Sequence, residues 1–129
     1  MSSEYDKLLN IAKSAADSSY VPYSSIKFGC ALKCNDNKIY SGCKVEVANY
    51  GSSIDPIEVA FGQAIKDKCT QFETLAIYPT QQISGSCLQL MVEFNPNIVI
   101  IMYSSDNKIK SYTASQLLPH FFGPHDLIK

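Results

Sequence analysis

The chain of 129 residues has no arginine: all 11 basic residues are lysine, against 12 acidic ones, for a net charge of −1. Without Arg there is no planar donor fork for bidentate contacts with phosphate or guanine, and a balanced charge draws in neither nucleic acid nor anionic lipid. No nucleic-acid partner is expected. Long hydrophobic runs are missing as well. The longest, Ile98 to Tyr103, is six residues, far short of the roughly 20 a spanning helix needs, so no membrane partner is expected either. The opening Met1-Ser2-Ser3-Glu4-Tyr5-Asp6 lacks the basic start and apolar core of a secretory leader. There is no Cys-x-x-Cys pair, and the cysteines, Cys30, Cys34, Cys43, Cys69 and Cys87, are odd in number. Reduced thiols in a cytoplasmic protein are the expectation. Cys30 and Cys34 share a face of a strand-like segment. With no matching second half, they read as small buried hydrophobes.

Repeats, low-complexity tracts and linkers are also absent, and 46% apolar residues suffice for a core, so residues 1–129 read as a single domain. Tyr5, Leu8, Leu9, Ala12, Ala15 and Ala16 recur at helical spacing and predict a first helix ending before Val21-Pro22. Lys27 to Lys33 and Lys38 to Glu46 flank the polar turn Asn35-Asp36-Asn37, which predicts a hairpin. Asp55 to Lys68 reads as a second helix, opened by Asp as N-cap, Pro at the first turn and Glu58 at the third position. Thr74 to Tyr78 is a short strand. A third helix is expected from about Gly85 to Phe94, apolar on several faces and therefore buried inside a protomer or between protomers. Asn97 to Ser104 is a strand of the fully covered type, Lys108 to Tyr112 another, and Thr113-Ala114-Ser115-Gln116 a capping box opening a short helix. Helices between strands point to an α/β fold with the sheet covered on both faces.

Tyr20-Val21-Pro22-Tyr23-Ser24, Phe28-Gly29-Cys30-Ala31-Leu32, Val45-Glu46 with Ala48 and Tyr50-Gly51, and the tail Leu117-Leu118-Pro119, Phe122-Gly123-Pro124, Asp126-Leu127 resemble, in order and nearly in spacing, the small zinc-dependent cytidine deaminases. The resemblance runs from about residue 5 to residue 128. It implies a three-layer α/β/α fold with a mixed central sheet of about five strands. It also implies a homo-oligomer, dimer or tetramer, and mixed assembly with an active paralogue is a further possibility by analogy.

In that family one Cys at a helix start and two from a Pro-Cys-x-x-Cys helix start hold zinc, which activates water, and a Glu shuttles protons. A gapless match from Tyr50 to Ala60 puts Asp55 at the first ligand, Pro56 at the intervening Ala, Ile57 at the proton shuttle and Glu58 where the family has Arg. One residue along a helix turns a side chain by ~100°, so Glu58 is expected on another wall. Gly85-Ser86-Cys87-Leu88-Gln89 resembles the family's Gly-Ala-Cys-Arg-Gln. Cys87 then matches the last ligand and Ser84 the other, with Ile83 for the preceding Pro and Leu88 for the Arg. One thiolate, one carboxylate and one hydroxyl stand where three thiolates are implied, so the metal positions Asp55, Ser84 and Cys87 read as degenerate, with no zinc or other cofactor and no catalytic residue expected. For the nucleoside, Lys44-Val45-Glu46-Val47 replaces Asn-Val-Glu-Asn, leaving Lys44 and Glu46 as candidate contacts, and Ile26 replaces the stacking Phe. Each lost contact costs on the order of 1–3 kcal/mol of affinity.

Taken alone, these residues lead to the expectation of a catalytically inactive pseudoenzyme acting through assembly or protein contacts. Two alternatives stay open. One is a zinc-free nucleoside or small-molecule binder; the other is a divergent cytidine deaminase with unusual ligands. His120 and His125 offer no complete tetrahedral set.

Overall fold

The structure, a computed structural model, describes residues 2–127. Residues 1, 128 and 129, the outer bounds of the expected domain, lie outside the described residues. The order is α1 (Ser2–Ala16), β1 (Gly29–Cys34), β2 (Ile39–Cys43), α2 (Pro56–Lys66), β3 (Phe72–Tyr78), α3 (Gly85–Phe94), β4 (Val99–Tyr103), β5 (Ile109–Thr113) and α4 (Ala114–Leu117), with short 3-10 turns at Tyr50–Ser52 and Pro124–Asp126. The strands form one five-stranded sheet in the order β2-β1-β3-β4-β5. Only β3 and β4 run parallel, and α3 supplies the crossover that a parallel pair requires. The expected mixed sheet and α/β class are found.

Alternation along the strands sorts the core into two layers. Cys30, Leu32 and Cys34 of β1, Phe72, Leu75 and Ile77 of β3, and Ile100 and Met102 of β4 face α2 and α3. Ala31, Ala76 and Ile101, between them in sequence, face α1 and meet its Leu8, Leu9 and Ala12. Small residues on that second face let α1 lie close. A Cβ on Gly29 would stand 2.4 Å from the Ala12 carbonyl. On the other face Phe61 and Phe72 pack edge to face at 4.7 Å, and Phe94 meets Phe72 at 5.4 Å. Such pairs add about 0.5–1.5 kcal/mol each beyond the area they bury. Helix α3 turns Cys87, Leu88, Met91 and Val92 into this core. The wide apolar face read from sequence is thus largely satisfied inside the chain.

Candidate active site

The N-termini of α2 and α3 converge on one cleft of about 190 Å³, lined by Lys44, Ser53, Ile54, Asp55, Glu58, Ser84, Ser86 and Cys87. Two close approaches set the position of α2. The Cys30 thiol donates to the Pro56 carbonyl at 3.2 Å. Gly42 of β2 lies beneath the same carbonyl, and a Cβ there would meet it at 2.1 Å.

Both helix starts are capped, that of α2 as its sequence predicts and that of α3 by Ser84, which the sequence analysis placed only as a degenerate ligand. Asp55 accepts from the Ile57 amide at 2.9 Å, and Glu58 returns the contact by accepting from the Asp55 amide at 2.9 Å, a full capping box. Ser84 accepts from the Cys87 amide at 3.2 Å. Ile57 is 3% exposed and packs in the main core, so the position matched to the proton shuttle carries a core side chain. Glu58, one residue on, faces another wall from Ile57, as the ~100° turn per residue requires. It is exposed and lines the cleft beside Asp55, because the cleft is framed by the first turn of α2 rather than by one stripe of it. One oxygen of Glu58 serves the capping box; the other is left to the cleft. Burial pushes the Cys87 thiol up to about 12 against the hydrogen bond with Ser84, and the negative charges of Asp55 and Glu58 add to the rise.

Of the candidate nucleoside contacts, Lys44 lines the cleft and lays its ammonium 5.2 Å from the centre of the Phe28 ring. Glu46 is buried and holds the neighbouring loop, accepting from the amides of Tyr23 at 2.9 Å and Ser24 at 2.8 Å. Ser24, through its hydroxyl and then its amide, keeps that carboxyl below the usual carboxylate range. Lys44 stands 3.9 Å from its other oxygen. Glu46 therefore positions the wall that carries Lys44. Ile26 is 54% exposed on the same loop.

A second group lies at the opposite end of α2. Cys34, Asp36 and Cys69 bring two sulfurs and a carboxylate oxygen within 4.8 Å of one another. It is the one such three-donor group among the described residues, and it corrects the expectation that Cys34 has no matching half. The partner was concealed by sequence distance. Because β1 pairs antiparallel with β3 and Cys34 sits opposite Phe72, the residues just before Phe72 must run beside the β1–β2 turn. The unexplained Cys69 was the available signal. At the cleft, by contrast, no three-donor group of His, Cys, Asp or Glu is found among the described residues, and Asp55 and Ser84 are engaged as caps. Those side chains do not fit a three-sulfur zinc set.

The mixed sheet, its two helix layers and the paired helix N-termini over one cleft define the class: a three-layer α/β/α protein with a candidate site at the starts of two helices. The comparisons with known proteins are specific. The profile of the cytidine and deoxycytidylate deaminase zinc-binding region matches residues 1–77. A cytidine deaminase of Sporosarcina psychrophila is 32% identical over 129 aligned residues, covering 96% of this chain and 95% of that protein. A probable cytidine deaminase of Dictyostelium discoideum is 28% identical, covering 97% and 88%. The crystal structure of cytidine deaminase from Burkholderia pseudomallei superposes with a TM-score of 0.84 at 30% identity, over 91% of this chain and 98% of that one. The chain belongs to the cytidine and deoxycytidylate deaminase family.

Two expectations are corrected by these findings. An inactive pseudoenzyme does not follow, because relatives named as cytidine deaminases align from end to end. The absence of any metal does not follow either. The family's zinc-binding region is matched, and a Cys/Asp/Cys donor group is assembled from segments 34–36 and 69. No helix among the described residues is long and apolar enough to cross a membrane.

Proposed function

We propose that residues 1–129 form a single-domain, cytoplasmic, divergent cytidine-deaminase-type hydrolase of nucleoside metabolism, acting on a cytosine nucleoside at the cleft between α2 and α3. The observation that carries this is Glu58. In a chain related end to end to cytidine deaminases, an exposed carboxylate with a free oxygen lines the cleft where two helix N-termini meet. The reaction adds water to the amino-bearing ring carbon and expels ammonia. Glu58 takes the proton from the attacking water and returns it to the departing amine. The positive ends of α2 and α3 favour the negative oxygen that forms between those steps. Lys44, steadied by Glu46, supplies a donor for the sugar. Since the cleft donors do not fit a three-sulfur zinc set, no step is routed through a metal there.

A cleft of about 190 Å³ is smaller than the roughly 300–1,000 Å³ usual for ligand sites. A neighbouring subunit would complete it, and exposed Tyr20, Tyr23, Ile26 and Ile54 supply apolar surface for that contact. We therefore include a homo-oligomer in the proposal, with light scattering after size exclusion as its check; a monomer at micromolar concentration refutes that part. Ammonia release from cytidine and deoxycytidine tests the reaction. Glu58→Gln, which keeps the capping geometry, is expected to lower turnover by about 10²-fold or more. Wild-type protein releasing no more ammonia than this variant would overturn the reading.

A further inference from the structure

Cys34, Asp36 and Cys69 come from two segments that the fold staples together before any ligand is considered. Cys34 ends β1 just past a register shift. Its amide donates to the Lys38 carbonyl at 2.9 Å, and its own carbonyl accepts from Asn37 at 3.0 Å. Asp36 sits at the tip of that hairpin, one oxygen accepting from the Lys38 amide at 3.1 Å, which leaves its other oxygen uncommitted. Cys69 follows the stop of α2. Lys68 there takes a left-handed φ of 66°, and the Cys69 amide donates back to the Ala64 carbonyl at 2.9 Å. Between the two segments, the Asn35 amide donates to the Gln71 carbonyl at 3.0 Å. The backbone of each donor is thus set by hydrogen bonds the metal need not supply.

We propose that Cys34, Asp36 and Cys69 form a divalent-metal site, zinc by chemical preference, that ties the β1–β2 turn to the C-terminal end of α2. A tetrahedral centre with Zn–S near 2.3 Å holds its ligand atoms roughly 3.8 Å apart. Donors already within 4.8 Å reach that spacing by small side-chain rotations. Two sulfurs select zinc over magnesium or calcium, and a carboxylate is an ordinary third ligand. Asp36 and Cys69 line a hollow of about 260 Å³ with Asn35, Lys68, Thr70 and Gln71, which would give an ion a path in and room for a water beside the buried Cys34. Lys68 at that rim offsets part of the excess negative charge of two thiolates and a carboxylate around a dication. The site is separate from the cleft: the 11 residues of α2 set the two about 16 Å apart along the helix. It does not depend on the deaminase reading.

The test uses the full chain, reduced and stripped with a chelator, then titrated with Zn²⁺ and, separately, with Co²⁺. One equivalent per chain is expected, with a thiolate-to-cobalt charge-transfer band and an unfolding midpoint that climbs with Zn²⁺ concentration. Cys69→Ser abolishes the band. Asp36→Asn, an exposed change that leaves the core alone, keeps the band but weakens affinity by about tenfold or more. Cys87→Ser, in the cleft, changes neither stoichiometry nor spectrum. The proposal is overturned if Zn²⁺ leaves the midpoint unmoved, if metal is lost in Cys87→Ser rather than Cys69→Ser, or if the reduced-and-refolded protein re-forms a Cys34–Cys69 disulfide in preference to taking up metal.

Discussion

The same substitution placed at two glycines should move stability in opposite directions. At Gly42→Ala the added Cβ meets the Pro56 carbonyl at 2.1 Å and the Ala60 amide nitrogen at 3.0 Å. Both are backbone, so neither can rotate away. Ordinary contact begins near 3.4 Å, so a gap of 2.1 Å must open by about 1.3 Å. The start of α2 has to lift off β2 by that amount, or the strand has to bend. Overpacking of this kind costs roughly 1–3 kcal/mol, and a contact to rigid backbone belongs at the upper end. Alanine's smaller unfolded-state entropy returns about 0.4–1 kcal/mol. The net expectation is a loss of about 2 kcal/mol. Gly62, in the same helix, has nothing within 4 Å of its added Cβ. Gly62→Ala should therefore gain about 0.8–1 kcal/mol from helix propensity. Urea unfolding of both variants measures the difference, about 3 kcal/mol between them. Gly42→Ala unfolding within about 0.5 kcal/mol of wild type would refute the claim that this glycine sets the height of α2 above the sheet.

Asp55→Ala removes one half of the capping box and should cost about 1 kcal/mol, seen as a lower urea midpoint at unchanged slope; an unchanged midpoint would argue against the cap. Glu46→Gln tests the buried carboxylate through pH. Its folded-state value is depressed, so its contribution is present above the unfolded value and lost as pH falls through the folded one. The variant should be less stable than wild type near neutrality, with the gap closing in acid. A gap that stays constant from neutral pH to well below the carboxylate range would rule out the ionised contact with Tyr23 and Ser24.

The chemistry that was legible in sequence is the chemistry that acts locally. Asp55-Pro56-x-Glu58 announces a capped helix because all its contacts lie within one turn, and Thr113 with Gln116 does the same for α4. The shared face of Cys30 and Cys34 in β1 was readable from period two, and the unbroken apolar run of β4 announced a strand covered on both sides. What escaped depends on register between distant segments. Cys34 and Cys69 become neighbours only once β1 and β3 pair antiparallel with Cys34 opposite Phe72. The role of Glu46 escaped for a similar reason. Its partners, Tyr23 and Ser24, are more than 20 residues earlier, in a loop without periodicity. For Glu58 the helical phase was legible, since it turns away from the buried Ile57, and its place at the cleft was not. An opening framed by the whole first turn admits side chains that a single-face argument excludes.

Helix α2 relates the two sites through its rigidity. Its N-terminal turn carries Asp55 and Glu58 into the cleft, and its C-terminal stop delivers Cys69 to Cys34. A slip of one residue would break the capping box and rotate Glu58 by ~100°, so the cap that stiffens the helix start also fixes the direction of the cleft acid. The two ends need not respond equally to a push. A Cβ on Gly42 presses on Pro56, at the cleft end, whereas Cys69 is held by its own bond to Ala64 and by the Asn35–Gln71 staple. Lifting one end should therefore disturb the cleft chemistry while leaving the sulfur pair in place. A Gly42→Ala protein that still folds separates the two sites: ammonia release falls while zinc affinity holds. Loss of both together would mean that the helix transmits the displacement along its whole length and that the two sites share one positioning element.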